Sequence, residues 1–220
     1  MRYDTAMPPN SDAGVAQLVE HELPKLVVAG SNPVARSRDL MNPLDRQPIA
    51  PRCDALTVGA VRATDPLWVA LLEQAGFRLA RRSTSYVWYD GRGEVAIAPD
   101  EELDADDTLA QIILHELVHL LLQGEEARSM PDWGLDNLTD RDAYLEEAAL
   151  VMQLRLLRQW GLEAVLVPTT DFRSYYLSEA STEARADRLE ATEAGWARWL
   201  VWPQREAAER ALAATRSAVA

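Results

Sequence analysis

A short run in the middle of the chain, Leu114–Leu122, constrains the fold more than any other segment. It reads Leu-His-Glu-Leu-Val-His-Leu-Leu-Leu, so two histidines and a glutamate are embedded among apolar residues. The surrounding pattern predicts a helix over about Asp106–Gln123, which begins among aspartates and ends before Gly124. A helix with so many apolar residues is expected to be buried. Burying two imidazoles and a carboxylate costs free energy unless a partner, such as a metal ion, compensates for their lost hydration. The fold must therefore enclose this helix and provide a partner for its polar side chains.

The three polar residues of this run have the spacing of a metal site. His115 and His119 are four residues apart, so both imidazoles lie on one helix face and can bind a single ion. Zinc binds histidine nitrogens at about 2.0–2.1 Å and lowers the pKa of a bound water towards neutrality. Glu116 is placed to act on that water as a general base. The alternative is a helix with two histidines by chance, but the only other histidine is His21. We predict a Zn²⁺ site with His115 and His119 as ligands and Glu116 as the catalytic residue.

The third metal ligand must be acidic, because no other histidine is credible and Cys53 is the only cysteine. A second long helix, predicted over about Asp140–Trp160 and ended by Gly161, offers the neighbouring residues Glu146 and Glu147. Glu147 shares its helix face with four apolar residues: Ala143, Leu150, Val151 and Leu154. An unpaired carboxylate on such a face would cost free energy on burial. Glu146 shares its face with Asp142 and Gln153, which is more typical of a solvent-exposed face. We expect one of the two glutamates to bind the metal and prefer Glu147, although a change of one residue in register reverses the choice.

The His-Glu-x-x-His motif, followed by a glutamate before alanine on the next helix, resembles the zincin superfamily and its Glu-zincin branch. The resemblance covers roughly Tyr86–Trp160. It implies a metallopeptidase, and a strand beside the active-site helix that binds an extended peptide by strand addition, for which Glu94–Ala98 is the candidate. No third histidine motif follows, which excludes the metzincin type. The sequence after the second helix matches no subfamily.

Two functions are compatible with these residues. The first is a zinc-dependent metallopeptidase whose partner is a peptide or protein substrate. The second is a metal-binding, zincin-like regulatory or binding module without general proteolytic activity. The intact Glu116 favours the peptidase, because a pure binding module has no need of that carboxylate. The segment Met130–Asn137 is compatible with a loop over the cleft that touches the substrate through Asp132, Trp133, Asp136 or Asn137, although its proline, glycine and aspartates are equally typical of a simple turn. Apart from this segment, no pattern indicates substrate-binding residues, the cleavage preference or the oligomeric state.

The rest of the chain predicts an α+β fold in which a small antiparallel sheet packs on the two ligand-bearing helices, followed by a helical C-terminal region. Strands are expected at Val58–Val61, Phe77–Leu79, Ser85–Tyr89 and Glu94–Ala98, the last two joined by the hairpin turn Asp90-Gly-Arg-Gly93. Further helices are expected from Thr64 or Asp65 to just before Gly76, around Thr182–Leu200, and from near Pro203.

The N-terminal segment has an unusual pattern. Residues 1–40 resemble a spurious reading frame through a bacterial tRNA gene, because one frame can encode a D arm at Ala16–Glu20, an anticodon arm at His21–Val27 and a T arm at Gly30–Pro33. We expect translation to begin at Met41 or later. Residues 1–57 are then a non-native or disordered segment with an irregular lead-in, and 58–220 form a single zincin-like metallohydrolase domain. The alternative is a genuine proline-flanked extension.

The composition restricts the partners. The formal net charge is −13, which argues against binding to nucleic acid and leaves no basic patch for an anionic membrane surface. No apolar run is long enough to span a membrane, and no signal peptide pattern is present. A single cysteine excludes an intrachain disulfide. These observations favour a cytoplasmic enzyme.

Overall fold

The computed structural model describes residues 54–84, 86–136, 140–168 and 186–220. The predictions for residues 1–40, including the late start of translation, lie outside the described residues. The predicted α+β class is confirmed, since the described residues form α-helices and a three-stranded sheet. In chain order the elements are α1 (Ala55–Arg62), α2 (Asp65–Gln74), β1 (Arg78–Arg81), β2 (Val87–Tyr89), β3 (Glu94–Ile97), α3 (Leu109–Gln123), α4 (Ala143–Trp160), α5 (Ala186–Val201) and α6 (Arg205–Ala218).

The first element differs from its prediction. The strand expected at Val58–Val61 is wrong, because these residues belong to α1. Asp54 caps this helix by accepting a hydrogen bond from the backbone N–H of Thr57 at 2.7 Å. Val58 and Val61 are both buried, and their separation of three residues places them on one helix face. The following helix, α2, has Pro66 in its first turn and ends before Gly76, as expected.

The sheet is mixed rather than purely antiparallel. Its strand order is β1-β3-β2, with β1 parallel and β2 antiparallel to β3. The hairpin between β2 and β3 is confirmed. However, β3 is the central strand and its backbone pairs on both sides, so the prediction that Glu94–Ala98 accepts a substrate strand is wrong. An ion pair between Arg78 Nη2 and Glu94 Oε2 at 2.6 Å joins residues that are in register on β1 and β3.

The two helices expected to carry the metal ligands are present. Helix α3 begins after Thr108, whose side chain accepts a hydrogen bond from the Gln111 N–H, and ends at Gly124 with φ 83°. Almost all of its residues are buried, and it packs against α2, α4 and α5. Helix α4 ends at Gly161 in the left-handed conformation, as the glycine predicted. Each helix starts three residues later than expected, because a turn or a capping segment comes first.

The C-terminal helices pack around this pair. Helices α5 and α6 agree with the helical tail predicted for this region, as far as the tail is described. Arg198 of α5 donates hydrogen bonds to the carbonyls of Leu121 and Leu122, which lie at the C-terminal end of α3 and lack helical partners. Within the described residues, no single helix is long and apolar enough to cross a membrane. The bent pair α1–α2 is long and apolar enough when its two helices are taken together, on length and composition alone.

Candidate metal centre

The predicted histidines meet a carboxylate from the neighbouring helix. His115 and His119 lie on one face of α3, and Glu146 approaches them from α4. The two histidine Nε2 atoms are 3.0 Å apart. Glu146 Oε2 lies 3.6 Å from His115 Nε2 and 3.4 Å from His119 Nε2. Three potential ligand atoms from two helices therefore converge on one point.

These separations can be compared with those of a tetrahedral zinc site. With zinc–ligand bonds of about 2.0–2.1 Å, two ligands at the tetrahedral angle are about 3.3–3.4 Å apart. The three observed separations, 3.0, 3.4 and 3.6 Å, lie on both sides of this value. The donor set, two imidazoles and one carboxylate, is one that catalytic zinc sites use with a fourth position left open. The three residues could therefore hold such an ion without rearrangement of the helices.

Gln153 fixes the orientation of the first histidine. Its side-chain NH₂ group donates to the carbonyl of Leu166 at 3.1 Å, so its Oε1 atom faces His115 Nδ1, also at 3.1 Å. Because an amide oxygen can only accept, the proton of His115 must be on Nδ1. The lone pair of Nε2 then points towards Glu146 and His119, as metal binding requires. His119 Nδ1 is buried without a hydrogen-bond partner in the described part of the chain.

The structure reverses the preference between the two glutamates. The carboxylate of Glu146, not that of Glu147, lies among the histidines. The polar face of α4 was interpreted as the solvent side, but Gln153, two turns after Glu146, is fully buried. Because the centre of this core is itself polar, the inward face of α4 carries polar residues at that level. Polarity on α4 therefore indicated the site rather than the surface.

The charges of the cluster stabilise one another. Burial alone would raise the pKa of Glu146, but the charges and hydrogen bonds of His119 and His115 outweigh it and hold that pKa well below the ordinary value. Burial would lower the pKa of His115, but the hydrogen bond and charge of Glu146 outweigh it, so that pKa is raised. The carboxylate is thus kept ionised, and the site favours a positive charge beside it.

Glu116 lies in the same buried region and is held by a tryptophan. The Trp133 indole Nε1 donates a hydrogen bond to Glu116 Oε2 at 2.8 Å. Burial raises the pKa of Glu116, although the charges of His119 and His115 and the Trp133 hydrogen bond act in the opposite direction. A carboxyl group with a raised pKa suits proton transfer near neutral pH.

Solvent reaches the cluster from one side. The side chains of His115 and Glu146 are 21% and 22% exposed, whereas that of His119 is 3% exposed. A molecule from solution would therefore approach over His115 and Glu146. The loop Met130–Asn137, which was expected to be either a cover over the cleft or a simple turn, places Trp133 inside the core, and its last residue lies outside the described segments.

Sequence reasoning did not identify two residues of this site. Gln153 was interpreted as a mark of the solvent face, and Trp133 as a turn residue or a substrate contact. The spacing of seven between Glu146 and Gln153 was an available signal, because it puts both on one side of α4. No comparable signal linked Trp133 to Glu116, since that contact depends on the path of a loop.

No protein-family profile matches the chain, and neither a curated protein nor a solved structure is significantly similar to it.

Proposed function

We propose that this protein is a metal-dependent hydrolase, specifically a zinc metallopeptidase acting on a peptide or protein substrate. One observation carries the proposal: two imidazole nitrogens and one carboxylate oxygen converge at separations suited to a tetrahedral ion, and the two imidazoles are on the helix that also carries Glu116. His115, His119 and Glu146 are the proposed ligands. The His-Glu-x-x-His spacing supports peptide hydrolysis over other metal-assisted reactions.

A bound zinc ion would supply a Lewis acid and a water molecule with a pKa of about 7. The chain supplies the other requirements. Glu116 accepts the proton of the attacking water and returns it to the leaving amine, as a general base and then a general acid. Gln153 keeps the His115 proton on Nδ1, so that Nε2 remains available as a ligand. The partly exposed His115–Glu146 side admits the substrate.

The experiment that tests this proposal uses the full chain. Zinc content is measured by mass spectrometry of the purified protein, and cleavage of a broad peptide library is followed for the wild type and for Glu116→Gln. We expect one zinc per chain in both proteins, with cleavage at least about 100-fold slower in the variant, because a positioned general base contributes about 10²–10⁴-fold. A wild type without stoichiometric zinc contradicts the proposal.

The same experiment separates the alternative of a metal-binding module. That alternative predicts stoichiometric zinc in both proteins and equal inertness towards all peptides. The contact of Glu116 with Trp133 favours the enzyme, because a buried carboxylate next to the cluster is costly and a metal-binding module has no use for it. Glu147→Gln, a change of the same type at the neighbouring position of α4, serves as the control for nonspecific effects.

A further inference from the structure

We infer that Trp133 is a positioning residue, which holds the Glu116 carboxylate in the orientation needed for proton transfer. The inference rests on the proposed function, because it assigns a role within that reaction. The contact that supports it is the hydrogen bond from Trp133 Nε1 to Glu116 Oε2 at 2.8 Å. Both side chains are buried, with residue exposures of 2% for Trp133 and 8% for Glu116. Trp133 acts through Glu116 and has almost no surface with which to touch a substrate.

The hydrogen bond leaves the two carboxylate oxygens of Glu116 unequal. Oε2 accepts from the indole, and an indole N–H can only donate. Because a donated hydrogen bond makes Oε2 the less basic of the two oxygens, we assign proton exchange with water to Oε1. A carboxylate that could rotate freely would spend part of its time with neither oxygen in place, and misplacement of a catalytic group by about 1 Å can cost about 100-fold in rate.

The indole packs against two aromatic rings, Tyr89 and Phe77, and Arg128 contacts both of these residues in turn. Its ring stacks on Tyr89 with the centroids 4.0 Å apart and an interplanar angle of 14°. Phe77 meets the same ring edge-on at 5.4 Å. Arg128 lies over Phe77, with Cζ 4.5 Å from the ring centroid, and its backbone carbonyl accepts from the Tyr89 hydroxyl at 2.6 Å. Because the ring is held by this packing, its N–H has a fixed direction and restricts the orientation of the carboxylate that accepts from it.

The backbone of the loop supports the same conclusion. Asp132 and Trp133 both have positive φ, at 48° and 59°, in the left-handed region that residues with bulky side chains rarely adopt. Such conformations persist only where the surroundings impose them, and they concentrate at functional sites. One such restraint is the β2–β3 turn, because a Cβ on Gly91 would lie 2.6 Å from the Pro131 nitrogen. The unfavourable backbone conformation therefore occurs at the residue whose indole contacts Glu116, which supports a functional role for that contact.

The test compares Trp133→Phe with a matched control. Phe keeps an aromatic ring in the packing but lacks the N–H. Trp68 is equally buried, and its Nε1 donates to the hydroxyl of Thr215 at 3.0 Å, so Trp68→Phe loses a buried indole hydrogen bond whose acceptor is not part of the cluster. As a second variant, β-(3-benzothienyl)alanine is incorporated at position 133, since it replaces the N–H by sulfur with almost no change of shape.

We expect Trp133→Phe and the variant with β-(3-benzothienyl)alanine at position 133 (the thienyl variant) to lower kcat by about 10- to 100-fold, with KM and zinc content unchanged. Trp68→Phe should lower the melting temperature and leave kcat unchanged. If Trp133→Phe retains the kcat of Trp68→Phe, or if the thienyl variant retains that of the wild type, the inference is overturned.

A stability measurement keeps this inference separate from the proposed function. If Trp133 holds Glu116, then Trp133→Phe should lower the melting temperature less in a Glu116→Ala background than in the wild type, because no carboxylate is then left without its donor. Equal losses in the two backgrounds contradict the contact whether or not the protein cleaves peptides. If the losses instead differ as expected while the protein binds no zinc and cleaves no peptide, that result contradicts the proposed function. The catalytic role of Trp133 then fails with it, although the contact between Trp133 and Glu116 stands.

Discussion

Substitution of the two neighbouring glutamates of α4 gives the sharpest test of the metal centre. Glu146 and Glu147 have identical side chains and adjacent positions, but only Glu146 reaches the histidine nitrogens, at 3.4 and 3.6 Å. Glu146→Gln preserves the shape of the side chain and removes its charge. Glu147→Gln makes the same change one position along, about 100° further around the helix, and is the matched control.

The expected effect on zinc binding can be bounded from below. Loss of a residue that merely orients a metal ligand weakens binding by about 10- to 100-fold. Glu146 is placed to bind the ion directly, so Glu146→Gln should weaken zinc binding by at least about 100-fold, or about 2.8 kcal/mol. Glu147 is not among the converging ligand groups, so Glu147→Gln should change the affinity by less than about threefold, as expected for a partly exposed charge near the site.

The assay is the rise in melting temperature that zinc causes. Zinc at about 100 times its Kd stabilises the wild type by about 2.7 kcal/mol, which is about 5–11 °C for a chain of this size. At the same zinc concentration a 100-fold weaker variant gains only about 0.4 kcal/mol, or about 1–2 °C. Comparing each protein with its own zinc-free form removes any effect of the substitution on folding. An equal rise in both variants, or a smaller rise in Glu147→Gln than in Glu146→Gln, would refute the assignment of the third ligand.

Two further predictions concern the support of the site and the first helices. Gln153→Leu should weaken zinc binding by about 10- to 100-fold, because it removes the acceptor that keeps the His115 proton on Nδ1; competition with a chromogenic chelator measures this, and an unchanged affinity would remove Gln153 from the site. Burial raises the pKa of Asp65 from 3.8 to about 6, and one of its oxygens is buried without a hydrogen-bond partner among the described residues. Because the folded pKa lies above the unfolded one, ionised Asp65 costs stability above pH 6 and that cost disappears as the pH falls towards 4. Asp65→Asn should therefore be more stable than the wild type at pH 8, by at most about 3 kcal/mol, with no difference near pH 4; urea titrations at the two pH values check this, and a constant difference would contradict it.

Local pattern predicted most of the helical structure. Gly124 and Gly161 follow the predicted ends of α3 and α4 and end both helices in the structure, because caps act over a few residues; the N-cap of α3, however, is Thr108 rather than one of the aspartates before it. The error at Val58–Val61 arose because β-branched residues suggested a strand, whereas the Asp54 cap and the burial at a spacing of three stabilise a helix. The place of β1 in the sheet could not be predicted, because no local sequence pattern determines whether this strand pairs with β2 or with β3.

The sequence alone determined that two imidazoles and a carboxylate share the surface of one buried helix, and that any third protein ligand is acidic. Both conclusions follow from the 3.6-residue period and from the residue types available. Only the tertiary structure decided that Glu146 rather than Glu147 completes the cluster, that Gln153 orients His115, and that Trp133 holds Glu116. These contacts depend on the rotation of α4 about its own axis and on the path of a loop. A helix buried on most of its circumference, as α4 is, carries no hydrophobic face from which that rotation can be deduced.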